Sequence, residues 1–566
     1  MNIIEIVLFV TAVVGVIGFG IYQGRQASDD KIGKASGYFL AGRHLTWYLV
    51  GFSLIAANIS TEQFVGMSGQ AAGSLGMAIA SYEWMAAVTL VAVAFIFLPK
   101  FLKTGIYTIP EFLEYRFDPI SRVVMAIVTL AILLGGPIAS VIYAGALVIS
   151  EYYQSIPVLG NLVACCWLIG MLSAAYVFVG GLKACVWTDL IWGASLIVGG
   201  AIVAYLAFDA LGMADPVSFI KTATLKDVTV DELADAGSWE RFQLLNAGAA
   251  AQGGKLHMIR PLSDNDIPWS ALLVGLWIPN FFYWGFNQYI IQRALGSRTL
   301  AEGQQGIIFA SFLKLIIPFV IVIPGILAFN LYYDQMALPG GGYAYDTAFP
   351  TLLRNLVKPF PWVSWFVLAA LFGAIVSSLA SMLNSASTVA TMDLWRKISP
   401  NASDDNLIRT GRIFVIVFVI IATLIAPHLG QFNAIFKYIQ EIQGFISPGI
   451  IAIFAFGMLV PKAPRFLGWS ALLLNAVLYG ALKFFLADMI ASAGLWYADK
   501  IAFLDRMAIC LFVVCVYCGI MTLLKPLPAS VVLPVNEDMD MTSSPKVKIL
   551  GYGVIIATVV LYIIFW

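Results

Sequence analysis

The sequence contains little charge. Asp, Glu, Lys and Arg together make up 11% of its 566 residues, whereas hydrophobic residues make up 60%. Soluble domains contain about 25% charged residues, so this composition excludes an ordinary soluble protein and indicates a polytopic α-helical membrane protein. The 32 basic residues are matched by 32 acidic ones, so the chain has no basic surplus for binding nucleic acid.

Histidine and cysteine are also scarce. The three histidines lie far apart, so no His/Cys spacing typical of a metal site is present. The six cysteines lie in or beside apolar runs, which is typical of small buried side chains and not of a disulfide framework. There is no Walker A motif, and no motif brings together a nucleophile, a base and an orienting group. The sequence therefore predicts neither an ATP-driven pump nor an enzyme.

Long apolar runs make up most of the chain. Hydropathy predicts about fourteen transmembrane helices of roughly 20 residues each. We expect them near residues 3–22, 46–69, 78–99, 123–150, 159–179, 190–211, 268–290, 306–330, 363–391, 413–428, 432–459, 466–486, 507–524 and 549–566. The first run carries Glu5 where a signal peptide would be basic, so it is expected to remain as a helix.

Lys and Arg are concentrated in alternate loops, of which the first contains Arg25, Lys31, Lys34 and Arg43. Cytoplasmic loops are enriched in these residues, so we expect these loops to be cytoplasmic. An even number of helices then predicts that both termini are extracytoplasmic. The long polar stretch 212–267, with an acidic segment that could form a short amphipathic helix, separates two sets of helices.

Polar residues within apolar runs are informative because a polar group at membrane depth requires a protein or water-filled environment. Asn58, Ser60, Thr61, Glu62 and Gln63 interrupt the second run. This pattern favours local unwinding, and unwound carbonyls can bind a cation. The alternative is that these residues form polar contacts between helices.

Glu83 in the third run has no basic residue nearby on its own helix. A buried carboxylate needs donors, which could be the hydroxyls of a ligand or a lysine such as Lys314. Both interpretations remain open, and they do not exclude each other.

Pro279 in the seventh run removes a backbone donor and predicts a second kinked or broken helix. Asn280, Tyr283, Trp284 and Asn287 share one face there, and aromatic rings beside amides suit a sugar. Aromatic packing between helices would give the same pattern. Two interrupted helices, one in each half of the chain, predict an inverted-repeat transporter that binds its solute near the midplane.

The ninth run places Ala374, Ser377 and Ser378 on a single face. Two hydroxyls and a carbonyl suit a hard cation such as Na⁺, which prefers oxygen ligands. Small residues also permit close helix packing, which is the alternative interpretation.

Several long motifs occur in order: AANISTEQFVGMSG, ASYEWM, KTGIYTIPEFLEYRF, GGLKACVWTD, FYWGFNQYIIQR, IVSSLASMLNS and YIQEIQGFISPGI. They resemble the solute:sodium symporter family, and within it the bacterial sodium/galactose cotransporters related to sodium/glucose cotransporters. The resemblance implies an all-α LeuT-type core of five plus five inverted helices. The implied units are an N-terminal helix and loop (1–45), the first repeat (46–211), an extracytoplasmic loop (212–267), the second repeat (268–459) and three C-terminal helices (460–566).

The resemblance also implies roles for individual residues. Na⁺ would bind the backbone oxygens of Ala56, Ile59 and Ala374 and the hydroxyls of Ser377 and Ser378. Asp189 would lie near the sodium exit path. The sugar ligands would be Asn58, Gln63, Glu83, Asn280, Lys314 and Gln440. Tyr283, backed by Trp284, would form the inner gate, and Met67, Tyr82 and Phe436 would close the site from outside.

One position departs from the pattern of the galactose transporters. Where they have a serine one turn after the glutamate, this chain has Ala86. One hydroxyl contact to the sugar is therefore absent, which bears on the preferred hexose more than on the solute class.

Together these features predict a secondary active transporter in the cell inner membrane that imports Na⁺ and a neutral galactose- or glucose-like sugar by alternating access. The partners are the sugar, Na⁺ and the lipid bilayer, with no nucleic acid; the sequence does not indicate an oligomeric state. The alternatives are a sodium symporter for inositol, another polyol, an amino acid or an organic anion, and a transporter-like solute sensor. Glu83 would repel a carboxylate unless it is protonated or paired with Lys314, which favours a neutral solute.

Overall fold

A computed structural model describes residues 3–25, 39–154, 156–431, 435–496 and 500–566. Lys31 and Lys34 of the predicted first loop lie outside the described residues, as do residues 432–434 at the start of the predicted run 432–459. In the described ranges the secondary structure is helical, with isolated β-bridges such as that between Leu45 and Ser297. The predicted all-α class is confirmed.

Ten helices in the described ranges are long and apolar enough to cross a membrane. They are Ile4–Gln23, Gly76–Thr104, Pro119–Tyr152, Leu182–Met213, Leu300–Met336, Pro361–Ile398, Asp404–Gln431, Leu467–Ser492, Phe503–Leu524 and Pro545–Ile564. A bent pair, Phe436–Gly444 with Ser447–Leu459, gives an eleventh span if it is counted as one. The chain is therefore a multi-pass membrane protein, while the count of fourteen stays a prediction.

The helical segment Leu162–Met213 contains 52 residues. The hydroxyls of Tyr176 and Thr188 lie 2.8 Å apart, whereas a straight helix would separate these residues by about 18 Å, so the segment bends sharply between them. Its two parts accommodate two of the predicted runs, 159–179 and 190–211. The segment packs against the N-terminal helix Ile3–Arg25 and against Pro361–Val389.

Several helices begin before the apolar run that predicts them. Asp118, Thr299 and Ser403 each accept a hydrogen bond from a backbone N–H in the first turn of the following helix. Such caps satisfy backbone donors that have no partner within the helix. These helices therefore begin at polar residues that a hydropathy analysis does not include in the apolar runs.

The predicted interruption of the second run is confirmed. The helix Trp47–Asn58 ends at Ile59, whose backbone is extended, and the chain becomes helical again before the π-helical turn Gln63–Met67 and the α-helix Ser68–Ala72. The Gln63 side chain accepts a hydrogen bond from the Ser60 backbone N–H at 2.9 Å, as in a capping box. The motif STEQ thus starts a new helix in the middle of an apolar run.

The seventh run is also interrupted, but not at Pro279. Pro279 lies in the first turn of Trp277–Phe281, where the missing N–H would have no helical partner in any case. The breaks occur at residues 274–276 and at Asn287, whose backbone is extended. Gly275, four residues before Pro279, lies in the first break, where the ring of the proline would clash with its carbonyl in a continuous helix, so the predicted interruption is confirmed.

A third bend, of 46°, separates Phe436–Gly444 from Ser447–Leu459. The Asn475 side chain donates to the Phe445 carbonyl at 2.6 Å and to the Gly444 carbonyl at 3.4 Å. Carbonyls that the bend removes from the helix thus regain a donor. The three interrupted helices place non-helical backbone and polar side chains inside the bundle.

The polar stretch 212–267 contains the short helices Val230–Asp235 and Ser238–Asn246, which confirms helix formation in the acidic segment. Lys255 of this stretch is buried and donates through Nζ to the Ala72 carbonyl at 2.6 Å. Its ammonium lies 3.8 Å from the centre of the Phe329 ring. The loop is therefore attached to the C-terminal end of Ser68–Ala72.

Candidate functional site: a polar cavity between the interrupted helices

A polar cavity lies among the three interrupted helices, Gly76–Thr104 and Leu300–Met336. Its lining is Asn58, Glu62, Gln63, Tyr82, Glu83, Ala86, Pro137, Pro279, Asn280, Tyr283, Trp284, Tyr289, Lys314, Phe436, Ile439, Gln440 and Gln443. About 50 Å³ is free between these side chains, which is room for one or two water molecules. A larger solute requires the surrounding helices to move apart.

Lys314 and Glu83 form a buried ion pair in the wall of the cavity. The Lys314 Nζ donates to Glu83 Oε2 and also to Asn58 Oδ1, and it lies 5.0 Å from the centre of the Trp284 ring. The Lys314 side chain is fully buried and that of Glu83 is 5% exposed. The lysine proposed from sequence as a donor to Glu83 is thus in contact with it, and the pair carries no net charge.

Gln63 is oriented by its capping role. Its Oε1 is committed to the Ser60 N–H, so only the amide Nε2 is directed elsewhere, toward Glu62 Oε1 at 3.5 Å. Asn280 is similarly constrained, because its Nδ2 donates to the Leu276 carbonyl at 2.9 Å. Gln63 therefore offers a donor to the cavity, and Asn280 offers an acceptor.

Three acceptor oxygens of the lining have no hydrogen-bond donor among the described residues: Glu62 Oε2, Gln440 Oε1 and Gln443 Oε1. Glu62 and Gln443 are 5% and 3% exposed, so bulk water does not replace the missing donors. Buried acceptors without donors are energetically unfavourable. The cavity therefore favours a ligand that donates several hydrogen bonds.

Tyr283 closes one side of the cavity. Its hydroxyl accepts hydrogen bonds from Asn58 Nδ2 at 2.9 Å and from the Tyr289 hydroxyl at 2.7 Å. Its ring contacts that of Trp284 edge to face, with 5.1 Å between the centroids. Two hydrogen bonds and a ring contact therefore hold the predicted inner gate in one position.

Tyr82 and Phe436 lie on another side of the cavity. Their rings meet edge to face with centroids 4.9 Å apart. A Cβ atom added to Gly66 would lie 2.9 Å from the Cβ of Phe436, so this glycine permits the close approach of the helix Phe436–Gly444. Met67, predicted as a third outer residue, is buried but is not among the described residues that line the cavity.

The predicted sodium ligands lie where Trp47–Asn58 meets Pro361–Val389. The Ser378 hydroxyl donates to the Ala56 carbonyl at 3.0 Å, so a hydroxyl and a carbonyl of the predicted set are in direct contact. Ala56, Ile59 and Ala374 are all buried. Both oxygens of the contact keep further lone pairs that can bind a hard cation.

Asp189 lies directly against this group. It accepts hydrogen bonds from the hydroxyls of Ser377 and Ser53, and Arg293 Nη2 lies 3.5 Å from its Oδ2. The Asp189 and Arg293 side chains are fully buried. The residue predicted for the sodium exit path is therefore hydrogen-bonded to a predicted sodium ligand.

The six predicted sugar ligands all line the cavity, as do all the predicted gate residues except Met67. Ala86 also lines it. The prediction missed Glu62, Tyr289 and Gln443. Gln443 follows Gln440 by three positions and thus shares its helix face, which could have identified it, and Tyr289 occurs in the quoted FYWGFNQYIIQR motif.

Interrupted helices around a polar cavity in a membrane bundle define a class of protein, the secondary transporters. The model of the sodium:solute symporter family matches residues 38–466, and the chain belongs to this family. It is therefore a sodium-coupled symporter and not an enzyme, and Na⁺ is its coupling ion.

Curated relatives match most of the chain. The sodium/glucose cotransporter of Vibrio parahaemolyticus is 38% identical over 585 residues, covering 100% of this chain and 99% of the relative. The uncharacterized symporter YidK of Escherichia coli (strain K12) is 34% identical, covering 85% and 78%. The human sodium/myo-inositol cotransporter 2 is 30% identical, covering 80% and 66%.

Solved structures match the fold. A Na⁺-coupled sialic acid symporter aligns with a TM-score of 0.68 and 20% identity, covering 94% of this chain and 100% of that one. Mhp1, a nucleobase-cation-symport-1 family transporter, aligns with a TM-score of 0.51 and 14% identity, covering 86% and 95%. The predicted LeuT-type fold is thereby confirmed, while its division into two repeats at 46–211 and 268–459 stays a prediction.

Proposed function

We propose that this symporter imports a neutral sugar, a galactose- or glucose-like hexose, together with Na⁺. The proposal is carried by one observation: the side-chain oxygens of Glu62, Gln440 and Gln443 in the cavity lining are hydrogen-bond acceptors that no described residue supplies with a donor. A sugar brings several hydroxyl donors and no charge. The ring of Tyr283 and the amides of Asn58, Gln63 and Asn280 provide the apolar face and polar partners that such a solute requires.

Charge within the cavity supports a neutral solute over an organic anion. Lys314, the cation of the lining, is already paired with Glu83 and bonded to Asn58. An anion would have to compete with Glu83 for the ammonium and would also face the carboxylate of Glu62. Both the separation of Glu83 from Lys314 and the approach of an anion to the Glu62 carboxylate would be strongly unfavourable at low dielectric constant.

For the coupling ion we propose the oxygens of Ala56, Ile59, Ala374, Ser377 and Ser378, with Asp189 beside the exit route. The contact of Ser378 with the Ala56 carbonyl supports this assignment because it brings ligands from two helices together. A membrane potential of 100 mV gives about 2.3 kcal/mol per charge, and a tenfold gradient adds about 1.4 kcal/mol. One Na⁺ could thus support a solute accumulation of about 500-fold.

Alternating access would require the cavity to open on one side at a time. Tyr283 with Trp284 would open toward the cytoplasm, and Tyr82 with Phe436 would open outward. We place the protein in the inner membrane with both termini outside the cytoplasm. The concentration of Lys and Arg in alternate loops supports this orientation.

A cyclic polyol such as an inositol is the second candidate. Ala86 lines the cavity in place of a serine, so one hydroxyl contact is absent, and two kinds of relative are named for glucose and for myo-inositol. Either solute satisfies the same acceptors. The choice between them depends on the arrangement of hydroxyls around the ring.

The test is uptake into proteoliposomes of labelled galactose, glucose and myo-inositol, with an amino acid and an organic anion as comparison solutes. Each solute is measured with an inward Na⁺ gradient and with K⁺ in its place. We expect Na⁺-dependent accumulation of a sugar or a cyclic polyol. Accumulation of the amino acid or the anion alone would refute the proposal.

A further inference from the structure

Glu62 is a buried carboxylate whose individual role in the proposed sugar site has not been assigned above. It follows the break at residues 59 and 60 and is 5% exposed. Its Oε1 has one long contact, 3.5 Å, with the amide of Gln63, and its Oε2 has no hydrogen-bond partner among the described residues. A structural carboxylate at this depth would be expected to have donors for both oxygens.

The charges of the lining leave Glu62 uncompensated. Of the described residues around the cavity, three are charged: Glu62, Glu83 and Lys314. Lys314 already donates to Glu83 and Asn58. The remaining titratable groups of the lining are the phenols Tyr82, Tyr283 and Tyr289, which are neutral. Glu62 therefore has no cation of its own among the described residues of the lining.

Two donors of the lining are engaged elsewhere, and no described protein donor reaches Glu62 Oε2. The Tyr289 hydroxyl donates to Tyr283, and the Asn58 amide donates to the same hydroxyl. Gln443 Oε1 cannot donate a hydrogen bond to Glu62, because it is an amide oxygen and itself lacks a donor. A donor for Glu62 Oε2 must therefore come from the contents of the cavity.

We propose that Glu62 is a solute-binding carboxylate that accepts a hydrogen bond from one hydroxyl of the transported polyol. When ionised, the same carboxylate would also repel a solute that carries a carboxylate. This inference rests on the proposed function, since it assigns one more contact to that site. Glu62 thereby becomes a specificity residue in addition to Glu83, whose own oxygen is engaged by Lys314.

The test compares wild type with Glu62→Gln, which keeps the shape of the side chain and removes its charge. Glu5→Gln is the matched control, because Glu5 is a buried carboxyl of the N-terminal helix and does not line the cavity. Binding is measured on purified protein by displacement of a labelled solute. The competitors are analogues lacking one hydroxyl each and one analogue in which a carboxylate replaces a hydroxymethyl group.

We expect Glu62→Gln to weaken solute binding about 10- to 100-fold, the usual range for a hydrogen bond to a charged group. One deoxy analogue should bind much less well than the parent solute in wild type but nearly as well as the parent in the mutant. The carboxylate analogue should compete better in the mutant than in wild type. The control should reproduce the wild-type ranking.

An unchanged ranking in Glu62→Gln would overturn the inference. Should that variant not fold, Glu62→Asp retains the charge but withdraws the carboxylate by one methylene. For the inference to stand, Glu62→Asp must lose the discrimination against the deoxy analogue and still disfavour the carboxylate analogue. If the wild type binds a non-sugar solute, the proposed function fails, and Glu62 is still tested by comparing both proteins with that solute. If wild type binds no solute of the panel, both are refuted.

Discussion

The buried pair of Lys314 and Glu83 allows a quantitative prediction about stability and binding together. Glu83→Gln removes the charge that compensates Lys314, and an uncompensated buried ammonium costs about 3–5 kcal/mol of folding free energy. Glu62 remains in the same cavity and supplies part of the missing negative charge, so we expect the lower end of this range. Loss of a charge-assisted acceptor should also weaken sugar binding by about 1–3 kcal/mol.

A second substitution separates the two effects. Adding Lys314→Met to Glu83→Gln removes the unpaired charge and fills the volume with an apolar chain, so most of the lost stability should return. Sugar binding should not return, because both polar partners are then absent. Lys314→Met alone leaves Glu83 uncompensated and should be the least stable of the three.

The assay is thermal and denaturant unfolding of purified protein in one detergent, followed by solute binding on the same samples. If the Glu83→Gln variant unfolds at the same temperature as wild type, the pair is not buried as described. Sugar affinity that is unchanged in Glu83→Gln would restrict Glu83 to a structural role. A double variant no more stable than the single variants would refute the electrostatic argument.

Three further predictions follow from other parts of the structure. The double variant Ser377→Ala with Ser378→Ala should fold, since small side chains replace small ones, but it should lose Na⁺-stimulated uptake; an unchanged Na⁺ dependence would refute the sodium assignment. Ala86→Ser should change the relative affinity of hexoses and cyclic polyols by roughly 2- to 13-fold with little effect on Na⁺ dependence, and an identical ranking would place its hydroxyl outside solute contact. Burial lowers the pKa of Lys255 to about 7, well below the ordinary lysine value of about 10.4, so between these pH values the unfolded chain binds a proton that the folded protein does not. Stability should therefore rise with pH across this window by up to about 4 kcal/mol, and Lys255→Met should flatten the rise in unfolding measurements at pH 7 to 10; an equally steep rise in the variant would assign it to other groups.

Local chemistry made the first interruption predictable. Polar residues within an apolar run indicate a break, and the spacing of Ser60 and Gln63 reproduces a helix start. Pro279 made the second interruption predictable, because in a continuous helix its ring would clash with the carbonyl of Gly275, which lies in the break. The bend at residues 445 and 446 depends on Asn475, about thirty positions further along the chain, and no local pattern reveals such a partner.

The site was predictable as a set of residues but not as a network. The motifs identified the six expected sugar ligands, and all of them line the cavity. Sequence could propose Lys314 as a partner of Glu83, because an isolated carboxylate needs a donor. The sequence could not show that the side-chain oxygen of Gln63 caps the new helix. Nor could it show that Glu62 Oε2 lacks a donor, since both facts depend on the three-dimensional orientation of the side chains.

The central claim is that Na⁺ and a neutral sugar cross the membrane together. Its most direct test is the simultaneous measurement of labelled Na⁺ and labelled sugar entering the same proteoliposomes. Because coupling between two ligands is reciprocal, the account predicts that external sugar accelerates Na⁺ entry and that external Na⁺ accelerates sugar entry. Sugar entry that is unchanged when K⁺ replaces Na⁺, or Na⁺ entry that is unaffected by every sugar and polyol tested, would contradict it.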